Sequence, residues 1–180
     1  MTSLTSKYAG DKIGVLWDVE DCPILNGLDP KSIYENIKSA LANQGYHGEV
    51  EITAYKEKEP IRNDFELAGI KLKIKGNKHG RFNSMFDDKY FWTRSNLMII
   101  SRDKTDFTTY LGHFKNVLIA EPAKLPENCC KCGFALDEKP NIKPIKKGLN
   151  ISHEWVWTSL AFGGDPIPKT KTEKQETIYS

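Results

Sequence analysis

Short apolar runs alternate with amphipathic stretches along this chain, and each change of period marks a change of element. Ile13 to Trp17 form the first apolar run, of strand length. Asp29 followed by Pro30 predicts a helix start, with an N-capping carboxylate and a proline at the first helical position. Ile33, Tyr34, Ile37, Ala40 and Leu41 then recur at helical spacing until Gly45 ends the pattern. Residues 49–55 (EVEITAY) alternate as a strand does, a short helix over 63–68 stops at Gly69, and 70–75 (IKLKIK) alternate again. Residues 82–94 (FNSMFDDKYFWTR) suit a helix that aligns Met85, Lys89 and Trp92. LMII at 97–100 is a fully apolar strand, a helix can begin in SRDKTDF, and NVLIAEP at 116–122 predicts the last strand, stopped by proline.

Strands alternating with helices predict an α/β fold of three layers, with helices on both faces of a mainly parallel sheet. That domain spans residues 12–122. Residues 123–150 break the rhythm with scattered prolines and three cysteines, an irregular insertion. HEWVWTSLAFGG within 151–167 has enough apolar surface to dock on the core, and the polar residues 168–180 have the composition of a disordered tail. Trp17, Trp92, Trp155 and Trp157 are assigned to the core.

Composition narrows the function classes. Hydrophobic residues make up 39% of the 180 and charged residues 28%, as in a soluble globular protein. A formal charge of +2 gives little whole-molecule attraction to nucleic acid, so any such affinity must come from local patches. The absence of a membrane-spanning run or a signal-peptide core, and cysteines that form no disulfide framework, point to an intracellular and more specifically cytoplasmic protein, with no membrane partner.

The acidic residues carry the chemistry. In an open parallel sheet, sites form beyond the carboxyl ends of strands where strand order reverses. Asp18 follows one apolar strand and Asp103 another. Asp88 lies on the helix before the second of these strands, and Asp106 is one helical turn beyond Asp103. Glu20, Asp21, Asp87 and Arg102 crowd the same places. Converging carboxylates need a cation, and hard oxygen donors suit Mg²⁺ or Mn²⁺, which support phosphodiester cleavage. An Asp after a strand can equally be a helix N-cap, and acids on a helix are commonly solvated.

The same residues resemble the NYN domain, a branch of the PIN-like nucleases, and most of all the plant NYN proteins related to the meiosis regulator and mRNA stability factor. WDVEDCPI is similar to that group's W-D-I-E-N-C-x-V-P, DPKSIYENI to its D-P-x-x-I-x-x-N-I helix, and DDKYFW to its V-D-x-x-F-W. ISRDKTDF is similar to I-S-G-D-x-D-F, and WVWTSLAFGG contains the W-T-S-L segment. The resemblance implies that Asp18, Asp88, Asp103 and Asp106 are metal-binding catalytic acids in a divalent-metal-dependent ribonuclease acting on single-stranded RNA. The chain departs from the pattern at Asp21 (Asn in the family), at Arg102 (Gly), and by one extra residue between Asp103 and Asp106. These departures define the alternative, a catalytically weakened module that binds RNA or protein.

A basic segment, KLKIKGNKHGR at 71–81, offers Lys71, Lys73, Lys75, Lys78 and Arg81 as a rim that tracks RNA phosphates, or as an edge strand shielded by lysine. Cys129 and Cys132 have the spacing of half a zinc site but no second pair, which favours free thiols. A haloacid dehalogenase-like phosphatase is the remaining alternative: DVED followed by RDKTD echoes its paired acids, with Glu20 in place of the second aspartate.

Overall fold

A computed structural model of the chain describes residues 7–87, 95–102, 114–123 and 151–168. Among the described residues six strands make one sheet: β1 (Ile13–Asp18), β2 (Val50–Lys56), β3 (Lys71–Ile74), β4 (Asn96–Ile100), β5 (Asn116–Glu121) and β6 (Ile151–Val156). Their order is β3-β2-β1-β4-β5-β6, and every pairing is parallel. Helices α1 (Pro30–Asn43), α2 (Asp64–Leu67), α3 (Lys78–Asp87) and α4 (Trp157–Leu160) are described around it. This is a three-layer α/β/α arrangement.

All-parallel sheets must be covered on both faces, which is why the strands carry near-continuous apolar runs instead of clean alternation. Every residue of β1 and β4 is buried. One face packs Val15, Trp17, Ile52 and Met98 against Ile33, Ile37 and Leu41 of α1 and Leu160 of α4. The other packs Leu16, Leu97, Ile99 and Ile119 against Met85, Phe82 and Phe86 of α3.

The predicted caps of α1 are present. The Asp29 carboxylate accepts the Ser32 amide at 2.7 Å, with Pro30 in the first turn. At the far end Gly45 takes φ 95°, which lets its amide reach Ala42 O and the Tyr46 amide reach Leu41 O. Trp17, Trp155 and Trp157 are core residues, each 1% exposed or less. Trp92 lies outside the described residues, as do 124–150 with Cys129 and Cys132, and most of the tail from 169 onward.

Two elements differ from the sequence expectation. The segment expected to dock on the core buries Trp155, Trp157 and Leu160 there and also extends the sheet as β6, so β5 is not the last strand. Its pairing with β5 shifts between Val117 and Leu118, whose partners are Ile151 and His153, leaving Ser152 as an extra residue. That bulge puts Ser152 and Trp155 on the buried side three positions apart, which hides the strand period of two. The second difference is α3, which begins at Lys78 and not at 82. Asn77 caps it, its side-chain oxygen accepting the Gly80 amide at 2.7 Å, although the glycines of GNKHG give the stretch the composition of a loop.

At the amino edge of the sheet a buried polar chain crosses the strands. Asn96 Nδ2 donates to Tyr8 O at 2.9 Å, and Asn116 Nδ2 donates to Asn96 Oδ1 and to the Tyr46 hydroxyl, both at 2.9 Å. The Tyr46 hydroxyl lies 3.1 Å from Ser152 Oγ.

Candidate active site

Strand order reverses between β1 and β4, and Asp18 is the last residue of β1 at that point. The chain turns at once. Asp18 Oδ1 accepts the amides of Glu20 (3.0 Å) and Asp21 (3.3 Å), and Asp18 O accepts the Cys22 amide. Two indoles hold this turn from the core side: Trp17 Nε1 donates to Cys22 O at 2.8 Å and Trp157 Nε1 to Pro23 O at 2.9 Å. Their rings pack with centroids 5.3 Å apart, so the carboxyl-terminal WTSL segment supports the first acidic loop. Burial pushes the Cys22 thiol upward, with the carboxylates of Asp21 and Asp18 adding to the shift, so it stays an uncharged core side chain.

From β4, Ser101 and Arg102 reach the same turn. Ser101 Oγ donates to Asp21 Oδ2 at 3.1 Å, and so does the Arg102 amide at 3.1 Å. From α3, Lys78 Nζ lies 3.2 Å from Asp18 Oδ2 and directly against Asp21 Oδ2, while Arg81 Nε lies 3.3 Å from the Asp18 carboxylate. Asp18 is 1% exposed and Arg81 5%, so this ion pair is buried. Burial pushes the Asp21 carboxyl up, but the Lys78 ammonium, the Arg102 amide and the Ser101 hydroxyl outweigh it and hold the group below its usual range.

The crowding of like charge in WDVEDC is therefore answered inside the protein: two carboxylates face two cations. Lys78 and Arg81 are three apart on α3 and share one face of it. Both are paired with the carboxylates of the acidic centre. Lys78 stands at the first turn of a helix, where the macrodipole disfavours a cation, and the two carboxylates offset that cost.

The other candidates fall elsewhere. Glu20 turns aside, its Oε1 accepting the Glu57 amide at 3.0 Å and lying 3.8 Å from Lys56 Nζ. A phosphatase-like pairing of Asp18 with Glu20 is thus not formed. Asp87 is exposed at the end of α3, and Arg102 contributes its amide while the residue is exposed. Asp88, Asp103 and Asp106 lie outside the described residues. Lys71 and Lys73 lie on β3, the edge strand next to β2, with Lys75 just beyond it, its amide donating to Lys56 O at 2.9 Å. Sequence reasoning misses Ser101, although its place just after an apolar strand is the same signal that marks Asp18.

A family model for the NYN domain matches residues 12–120, well over half of the chain. The chain belongs to the NYN domain family. NYN domains are a PIN-like nuclease family, and PIN-like nucleases generally use divalent metals. No curated protein matches the chain. Among the described residues of this NYN domain, no group of three or more His, Cys, Asp or Glu side chains is arranged to hold a metal ion. The donor chemistry nonetheless suits one: Asp18, Asp21 and Ser101 offer hard oxygens at the switch point, and the space between the two carboxylates is filled by the Lys78 ammonium.

Proposed function

We propose that this NYN domain is a divalent-metal-dependent ribonuclease that cleaves single-stranded RNA at the carboxyl edge between β1 and β4. The observation that carries the proposal is a buried carboxylate, Asp18, held by two backbone amides at the switch point of a nuclease-family sheet. Its partners in holding Mg²⁺ or Mn²⁺ are Asp21 and, following the family resemblance, Asp88, Asp103 and Asp106; Asp103 follows directly on Arg102, whose amide already meets Asp21. When bound, the ion supplies charge stabilisation at the phosphate and a route to nucleophilic water at neutral pH. The protein supplies orientation. The amides of Glu20 and Asp21 fix one oxygen of Asp18, and Ser101 and the Arg102 amide fix Asp21. Lys71, Lys73 and Lys75, near the same edge of the sheet, provide cations for the RNA backbone on its way to the acids.

One observation favours the second reading, a module that binds RNA without turnover: Lys78 and Arg81 already neutralise Asp18 and Asp21. Labelled single-stranded RNA incubated with Mn²⁺ and purified protein, beside Asp18→Asn and Asp103→Asn variants checked for folding by circular dichroism, separates the readings. Cleavage by the wild type alone supports the nuclease. Equal cleavage by all three reveals a contaminant, and RNA binding without cleavage supports the binding module.

A further inference from the structure

Lys78 lies against both Asp18 and Asp21, the described carboxylates that would help to hold a divalent ion. Its Nζ reaches Asp18 Oδ2 at 3.2 Å, touches Asp21 Oδ2, and donates to Ser101 Oγ at 3.4 Å, so one ammonium engages the oxygens that Asp18, Asp21 and Ser101 bring together among the described residues. Its side chain is 36% exposed, against 2% for Asp18 and 6% for Arg81. The two cations are therefore unequal. Arg81 is a buried partner, whereas Lys78 reaches the acids on a flexible stem that is partly open to solvent. Its position in the first turn of α3 also opposes the helix dipole, so helix stability alone gives no reason for a lysine there.

We propose that Lys78 is a built-in counter-ion that competes with Mg²⁺ or Mn²⁺ for Asp18 and Asp21, keeping these carboxylates closed to metal until an anion draws the ammonium away. The inference rests on the nuclease reading for its purpose but not for its test. In that reading the anion is an RNA phosphate, which has the charge to take over the ammonium as it arrives. Asp18 and Asp21 would then be freed to hold the ion only as RNA arrives, and the RNA-free protein would hold it weakly.

The test is Mn²⁺ titration without RNA, read by calorimetry and by water-proton relaxation, on the wild type and on Lys78→Met, Lys78→Gln and Lys78→Arg. Removing a unit charge this close to the donors should tighten Mn²⁺ by roughly tenfold or more in the Met and Gln variants. The charge-keeping Arg variant should stay near the wild type. The thermal midpoint should rise with added Mn²⁺ in the Met and Gln variants and move much less in the wild type. Equal Mn²⁺ affinity across the series, or weaker binding in both neutral variants, overturns the proposal. Because one neutral side chain is flexible and apolar and the other polar, a folding defect in one leaves the other to decide. RNA cleavage is scored separately, so loss of the nuclease reading leaves this result standing.

Discussion

Replacing Asp18 by Asn should damage the fold before it damages any chemistry. Asp18 is 1% exposed and meets Arg81 Nε at 3.3 Å and Lys78 Nζ at 3.2 Å. Asn keeps an oxygen for the amides of Glu20 and Asp21, but removes the charge facing Arg81, whose side chain is 6% exposed. Removing one partner of a buried pair typically costs about 3–5 kcal/mol, because the other charge is stranded. The contribution of Lys78, more than a third exposed and still facing Asp21, is under about 1 kcal/mol. The expected loss is therefore about 3–6 kcal/mol, a large share of the roughly 5–15 kcal/mol that holds a typical domain together. Arg81→Met added to Asp18→Asn removes the stranded guanidinium and should restore about 2 kcal/mol or more. Urea unfolding followed by tryptophan fluorescence, with Trp17 buried in the core, measures Asp18→Asn, Arg81→Met and the double variant. A cost below about 1 kcal/mol for Asp18→Asn, or a double variant whose cost is the sum of the singles, refutes the buried-pair argument. Loss of cleavage in Asp18→Asn must accordingly be scored against its folded fraction.

Other expectations are simpler to check. The Ser32 amide and hydroxyl hold the Asp29 carboxyl below its ordinary value of 3.8, so this cap stabilises the fold fully above that pH and its contribution is lost as pH falls through the lower folded value. Wild type and Asp29→Ala should therefore differ in thermal midpoint at pH 7 and converge in strong acid. At Gly48 an added Cβ would stand 2.0 Å from Asp11 O, a backbone atom, so Gly48→Ala should cost about 1–3 kcal/mol or more in the same urea assay, and a neutral result would show that the 9–12 segment can move aside. Lys71→Ala, Lys73→Ala and Lys75→Ala together should weaken RNA binding at every sequence and lower the salt slope by about 0.7 for each phosphate that is no longer neutralised. Unchanged RNA affinity with new self-association in sedimentation would instead assign these lysines to shielding the edge strand.

The parts of the fold legible in the sequence are those set by local chemistry. Asp29, Pro30 and Gly45 mark the ends of α1 because capping depends on residues a turn apart. The apolar runs at 13–17 and 97–100 reveal β1 and β4, and through them the switch point and Asp18. What escapes depends on distant partners. The β6 strand is hidden because its alternation is broken by a bulge that only the pairing with β5 defines. The start of α3 is hidden because Gly80 opposes the cap at Asn77, and with it the pairing of Lys78 and Arg81 to acids some 60 positions earlier. No periodicity encodes such a pairing, so sequence alone groups the lysine with its neighbours along the chain.

The polar chain at the amino edge has a consequence for the opposite edge. Asn96 begins β4 opposite Ile13, and it is anchored to Tyr8 O, upstream of β1. Counting five residues along each strand leads from Ile13 to Asp18 and from Asn96 to Ser101. A slip of one residue between β1 and β4 would displace Ser101 by about 3.3 Å and turn its side chain to the other face of the sheet. The 3.1 Å hydrogen bond to Asp21 could not survive that displacement. Apolar residues alone tolerate a slip on a sheet covered on both faces, since either face accepts them. Buried amides do not, because a displaced Asn96 or Asn116 would lose its partners in an environment without water. The alignment of the acidic centre is thus set from the far end of the strands, by residues that never approach it.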